Sequence, residues 1–177
     1  MAGAIALLAS ARRNGHTGAL TDRIAALLGI EVVDLATLRM APYDYGHRHR
    51  GDDFEPLMLR ALEFDQLIFA SPVYWYSMSS PMKVFLDRVT DFLDLPDLLE
   101  HGRRLRGKTG HLVCTSIYPD PPRPFAGAFA DTFEYLGMRF GATAHLDCAG
   151  GFDDAAADAE ARRFAGLFRA PSGAAGA

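Results

Sequence analysis

The sequence predicts an α/β fold, a three-layer sandwich of five parallel strands between two layers of helices. Short apolar runs alternate with amphipathic runs of helical spacing along the whole 177-residue chain. The first run, Ala4-Ile5-Ala6-Leu7-Leu8, is continuously apolar, as in a strand covered on both faces. Strands joined through helices pair in parallel with right-handed crossovers, and five of them fit the order 2-1-3-4-5 better than a six-stranded dinucleotide arrangement. With no internal repeat and no second domain, residues 1–169 form one domain. The tail 170–177, small residues plus one proline, is expected to be mobile.

Each element follows from local chemistry. After the first strand, a turn rich in Gly, Asn and Ser leads into a helix with Leu20, Ile24, Leu27 and Leu28 on one face, closed by Gly29. Ile30 to Leu35 reads as the second strand, Ala41 to Asp53 as an irregular polar stretch, and Phe54 to Leu62 as a helix. Leu67 to Ala70 is the third strand, and Pro81 to about Leu93 the third helix, with Met82, Phe85, Leu86, Val89, Phe92 and Leu93 apolar. A charged connection, Asp94 to Lys108, precedes the fourth strand at His111 to Thr115. The clustered prolines of 119–124 forbid regular structure. Phe125 to Leu136 is a helix, Thr143 to Leu146 a strand, and Ala155 to Phe168 the last helix.

Composition narrows the function. Hydrophobic residues make up 49% and charged residues 23%, which is ordinary for a globular chain and excludes wholesale disorder. The net charge is −4, with Lys and Arg scattered, which argues against a nucleic-acid partner. Ala4 to Ala9 is too short for a membrane span and lacks a preceding basic segment, so no membrane association and a cytoplasmic location are expected. Cys114 and Cys148 are expected as two small buried side chains rather than a disulfide framework or a metal site.

Two loops carry chemistry. Ser10-Ala11-Arg12-Arg13-Asn14-Gly15-His16-Thr17-Gly18 joins a strand directly to a helix. Hydroxyls, an amide and a glycine at a helix N-terminus suit a phosphate, where unpaired N–H groups and the helix dipole favour an anion. Plain helix capping by Thr17 or Asn14 is the alternative. Neither Gly-x-x-x-x-Gly-Lys-Ser/Thr nor Gly-x-Gly-x-x-Gly is present, so an ATP or GTP loop is not expected. The second loop, Ser71-Pro72-Val73-Tyr74-Trp75-Tyr76-Ser77-Met78-Ser79-Ser80-Pro81-Met82-Lys83, places three consecutive large rings at the carboxyl end of a strand. That edge is where open α/β sheets bind ligands, and three rings there suit a flat, partly apolar one.

Together these loops resemble those of the flavodoxin-like NAD(P)H-dependent FMN reductase and quinone oxidoreductase family, and the elements from Ala4 to Phe168 match it in order. The resemblance implies a flavodoxin-like sheet and FMN as cofactor. Ser10, Arg12, Asn14, Gly15, His16 and Thr17 would surround the FMN phosphate. Pro72, Val73, Tyr74, Trp75, Tyr76 and Ser77 would wrap the ring, with amides around Trp75 to Ser77 facing it. Thr115 and Ser116, opening a third loop that runs to Ile117 and Tyr118, would meet its pyrimidine side. Ala9, Ala11, His16 and Ser80 depart from the family's frequent residues. The iron–sulfur branch has cysteines after the second strand; 41–53 has none, so no cluster and no other metal is expected.

The implied activity is transfer of hydride from NADPH or NADH through FMN to a small acceptor (a quinone, flavin, nitro or azo compound), with no catalytic side chain required. A homodimer is expected by the same resemblance. The competing reading is a flavodoxin-type electron carrier with no NAD(P)H activity of its own; 22 acidic against 18 basic residues, with Arg12-Arg13 in the first loop, favour the enzyme. His47-Arg48-His49-Arg50 reads as a solvated loop or a contact for the NADPH 2′-phosphate, and Arg103-Arg104-x-Arg106-x-Lys108 as a solvated run, an interface rim or a dinucleotide contact. His111 and His145 read as hydrogen-bonded structural residues. Phe125, Phe129 and Phe133 read as core or, in part, as dimer surface.

Overall fold

A computed structural model describes residues 3–169; the tail predicted over 170–177 lies outside them. Five strands, β1 (Ala4–Leu8), β2 (Glu31–Asp34), β3 (Gln66–Ala70), β4 (Thr109–Ser116) and β5 (Arg139–Asp147), form one parallel sheet in the order β2-β1-β3-β4-β5. The helices are α1 (His16–Leu28), α2 (Phe54–Ala61), α3 (Ser80–Arg88), α4 (Asp91–Asp94), α5 (Leu99–Arg103), α6 (Arg123–Tyr135) and α7 (Asp154–Arg169). No helix among the described residues is long and apolar enough to cross a membrane.

Alternation along each strand divides the core into two different halves. Ile5, Leu7, Phe69 and Leu112 face a phenylalanine-rich layer with Phe54, Phe85, Phe92, Phe125, Phe129 and Phe133. Ala6, Leu8, Ile68, Ala70, Val113 and Ala144 face α1 and α7, whose Ala157 and Ala161 allow close approach. Phe125, Phe129 and Phe133 are fully buried within the chain, so they are core and leave no surface for a second copy.

Several boundaries differ from expectation for identifiable reasons. Leu27 is 42% exposed, because the buried face of α1 runs through Leu20, Thr21, Ile24 and Ala25 to Leu28 and leaves Leu27 on its flank. Gly29 ends that helix as predicted, at φ 66°, its N–H donating to Ala25 O. The helix expected over 81–93 is broken at Val89-Thr90: the amides of Val89 and Thr90 reach back three residues, to Leu86 and Asp87. That break turns the Asp91 carboxylate onto Arg88 Nε at 2.7 Å. β5 begins at Arg139 rather than Thr143, because backbone pairing with β4 continues through polar and glycine positions with a register shift at Gly110/Leu112.

The irregular stretch 41–53 is held by a side chain that periodicity did not flag. Arg88 is 2% exposed, donates to both Asp52 and Asp91, and also reaches the carbonyls of Ala41 and His49. Its guanidinium lies 4.8 Å from the centre of the Phe54 ring. Asp91 accepts a second contact from His47 Nδ1 at 2.8 Å.

Candidate functional site

Parallel pairing brings the carboxyl ends of β1, β3 and β4 to one edge, and three loops leave from there. Ala9 N–H donates to Ala70 O, and Val73 N–H to Thr115 O at 3.1 Å, so the second loop is continuous with both neighbours. Ser79 Oγ donates to Ala9 O at 2.6 Å and fastens the far end of the second loop to the end of β1. Between the loops lies an open cavity of about 400 Å3, within the ~300–1,000 Å3 usual for small-molecule sites.

From the first loop the cavity is lined by Ser10, Arg12, Gly15, His16 and Thr17; from the second by Pro72, Val73, Tyr74, Trp75 and Tyr76; from the third by Thr115 and Ser116. Asn14 and Ser77, also expected there, do not line it. Asn14 is exposed on the turn, and Ser77 is spent on closing the second loop. Ile117, Tyr118 and Cys148 complete the lining. The first two were signalled only as a continuation of the third loop. Cys148 was signalled only by its place after β5, at the same sheet edge; both cysteines are free and buried as expected.

The Ser10 and Thr17 hydroxyls of the first loop are engaged within the protein. Ser10 Oγ donates to Arg12 O and accepts from Arg12 N–H, so this hydroxyl shapes the loop. Thr17 Oγ1 lies 2.7 Å from Thr115 Oγ1. No side chain caps α1 and no acid lies in its first turn, contrary to the capping alternative, which leaves N–H groups facing the cavity. Gly18 is required: a Cβ there would come within 1.9 Å of Arg13 O. Arg13 is held bidentately by Asp22, whereas Arg12 is exposed beside the cavity.

The second loop is a tight turn. Tyr74 and Ser77 exchange N–H···O bonds of 2.9 Å in both directions. Trp75 and Tyr76, the two central residues, have φ of 49° and 62°. Positive φ at both positions is the pattern that Asn-Gly usually fills, and a large ring there stores strain. Trp75 is 95% exposed, so packing does not explain it. The amides of Trp75 and Tyr76 donate to no described residue, while that of Ser77 is consumed by Tyr74, so two of the three amides expected to face a ring are free. The Tyr76 ring stacks on Tyr118 at 5.6 Å and 26°.

The two charged runs do not line this cavity. Arg48 is paired bidentately with Asp44, and Arg50 with Glu55 and Asp97, so both guanidinium groups are already occupied. Arg104 and Lys108 donate to the carbonyl of Leu62, and Lys108 also to Phe64, beside a groove at the opposite edge of the sheet. His111 and His145 are hydrogen-bonded within the sheet, as expected.

Residues 4–139 match the family model described as NADPH-dependent FMN reductase. The chain belongs to that family. A curated relative, the putative NAD(P)H-dependent FMN-containing oxidoreductase YwqN of Bacillus subtilis, is 27% identical over 139 residues, covering 73% of this chain and 76% of its own. The solved Trp repressor binding protein of Bacillus subtilis superposes with a TM-score of 0.73 at 24% identity, covering 91% of this chain and 98% of its own. RosB, solved with 8-demethyl-8-formylriboflavin-5′-phosphate, superposes with a TM-score of 0.71 at 18% identity, over 94% of this chain and 77% of its own. The sheet is flavodoxin-like, and this FMN reductase is an FMN-dependent enzyme that draws on NAD(P)H.

Proposed function

We propose that FMN lodges in the cavity between the three loops, with its phosphate at the start of α1 and its ring against the aromatic turn, and that the acceptor is a small planar oxidant. One observation carries the reading: an uncapped helix N-terminus free of acids faces, across the cavity, a strained turn with two free amides. The residues fit the group. Amides at the start of α1 and the Arg12 cation suit a dianion, and Val73, Tyr74 and Tyr76 suit an aromatic tricycle.

FMN, when bound, supplies hydride acceptance from the nicotinamide and onward reduction. The chain supplies placement. The Trp75 and Tyr76 amides are aimed donors for ring heteroatoms, preorganised by the Tyr74–Ser77 clasp. Thr115 and Ser116 border the opposite side, and the open mouth leaves one face for nicotinamide and acceptor in turn. A quinone, a free flavin or a nitro or azo compound fits that face. Arg48 and Arg50 give no basis for choosing NADPH over NADH, since both are ion-paired.

We further infer a homodimer in the cytoplasm. Trp75, Ile117 and Tyr74 form an exposed apolar rim beside the cavity, which a second copy would cover.

The test is a titration of purified protein with FMN, followed by anaerobic NADPH or NADH and a panel of acceptors. Bound flavin that bleaches with nicotinamide alone and recolours with a small acceptor is expected. Absence of flavin binding overturns the site, and bound flavin that bleaches only with a second protein present overturns direct NAD(P)H use in favour of an electron carrier. Sedimentation of a monomer at micromolar concentration overturns the dimer.

A further inference from the structure

The third loop is held from behind by a histidine that does not line the cavity. His145, on β5, places Nε2 2.8 Å from Ser116 Oγ. The same hydroxyl oxygen accepts from Tyr118 N–H at 3.1 Å and lies 3.3 Å from Tyr118 O. Tyr118 in turn stacks on Tyr76 at the cavity mouth. A continuous line therefore runs from His145 through Ser116 and Tyr118 to both loops that would enclose the ring. The other side of His145 borders a separate open groove over β5, lined also by Asp120, Arg123, Glu160 and Arg163.

Ser116 has one hydroxyl hydrogen and two acceptors competing for it. The 2.8 Å approach to Nε2 is an ordinary O–H hydrogen-bond length, whereas 3.3 Å to Tyr118 O is beyond it. With neutral imidazole in the tautomer that carries its hydrogen on Nδ1, the hydroxyl donates to Nε2, and Tyr118 is held only through its N–H. A protonated imidazole has no lone pair to offer. Nε2–H then donates to Oγ, and the hydroxyl hydrogen turns to Tyr118 O, so that Ser116 holds Tyr118 by both backbone groups. No proton needs to cross the line; only the direction of each bond reverses.

We propose that His145 is a positioning residue for the flavin site, whose protonation reverses the Ser116 hydroxyl and tightens Tyr118 against Tyr76. The inference rests on FMN occupying the cavity as proposed above. The groups around His145 set its window. Burial disfavours its charged form and lowers its pKa below 6.5, against the opposing carboxylates of Asp147 on its own strand, Glu160 on α7 and Asp120 in the proline loop. Arg163, paired with Glu160, and Arg123 at the start of α6 are the cations on the same groove. The switch therefore operates in mild acid, below the ordinary imidazole midpoint. Because a better-held rim is a better-organised one, FMN affinity relative to an untitratable variant rises as the pH falls.

Two readouts test this. Histidine ring and backbone amide resonances are followed by NMR from pH 7.5 to 5 in protein without FMN, in wild type, His145→Gln and Ser116→Ala. FMN affinity is measured over the same range by quenching of flavin fluorescence in wild type and His145→Gln. Their ratio cancels the titration of the FMN phosphate itself. The Tyr118 amide is expected to shift with the His145 midpoint in wild type and to lose that dependence in Ser116→Ala, where His145 still titrates. The affinity ratio is expected to change about fivefold across the same midpoint, the size of one neutral hydrogen bond. A Tyr118 amide indifferent to His145, or a flat ratio in protein that binds FMN, overturns the proposal. Protein that binds no FMN at any pH overturns the flavin site instead, and the Tyr118 amide alone then decides whether the relay exists.

Discussion

Thr17 Oγ1 and Thr115 Oγ1 lie 2.7 Å apart in the buried floor between the first turn of α1 and the end of β4. Two hydroxyls from residues 98 positions apart thus join the first loop to the third. Replacing either one by valine keeps the shape but strands a buried hydroxyl, at a cost of about 1–3 kcal/mol; replacing both removes donor and acceptor together and is close to neutral. Urea unfolding of Thr17→Val, Thr115→Val and the double variant measures the coupling. Additive losses in the double variant would show that the pair is incidental.

Trp75 combines φ 49° with 95% exposure, so the folded state gains little from its ring in return for the left-handed backbone. Asparagine adopts that conformation far more readily. Trp75→Asn is expected to melt at a higher temperature than wild type, by roughly 1 kcal/mol of relieved strain, and to bind FMN several-fold more weakly. A lower melting temperature would mean that the turn is not under strain.

The Arg88 guanidinium joins Asp52, Asp91 and the carbonyls of Ala41 and His49. Arg88→Met leaves Asp52 without its cation and Asp91 with His47 alone, with an expected loss of about 3–5 kcal/mol. Limited proteolysis should find new cleavage within 41–53. Burial alone would raise the Asp52 pKa, but hydrogen bonds from Arg88 and from the amides of Ala41 and Phe54 bring it below 3.8. The group therefore adds stability above pH 3.8 that disappears as the pH falls through its lower folded value. Acid unfolding of the variant should lack that component.

The sheet and its order were legible because Ala4 to Leu8 and Leu67 to Ala70 are apolar on both faces, a pattern solvent-exposed strands do not show. The two cavity-lining loops were legible because one joins a strand directly to a helix through hydroxyls, an amide and glycine, and the other places three consecutive rings in a connection that is ordinarily short and polar. What stayed hidden depends on pairs distant in sequence. Arg88 looks like one more polar residue in α3 until Asp52 and Asp91 surround it. The loss of the Ser77 amide to Tyr74 depends on positive φ at Trp75 and Tyr76, which no propensity foretells. His145 and Ser116 meet only because β4 and β5 pair in a particular register.

His111 gives a pH dependence of known sign. Its Nδ1 accepts from Ala142 N–H at 2.9 Å, which places the hydrogen on Nε2, 3.0 Å from Gln66 Oε1. The Phe168 ring lies 4.8 Å away, and burial pushes the pKa down from 6.5 to about 4. A protonated ring would lose the Ala142 bond, so the folded state keeps it neutral while the unfolded chain takes up a proton near 6.5. The stabilisation is therefore full above pH 6.5, falls as the pH drops below it, and stops changing near pH 4. Its full size is on the order of 3 kcal/mol. His111→Gln retains an acceptor in the strand but cannot titrate. The difference in unfolding free energy between wild type and His111→Gln should shift against wild type between pH 6.5 and pH 4. A difference constant over that interval would mean that the imidazole reaches solvent and titrates alike in both states.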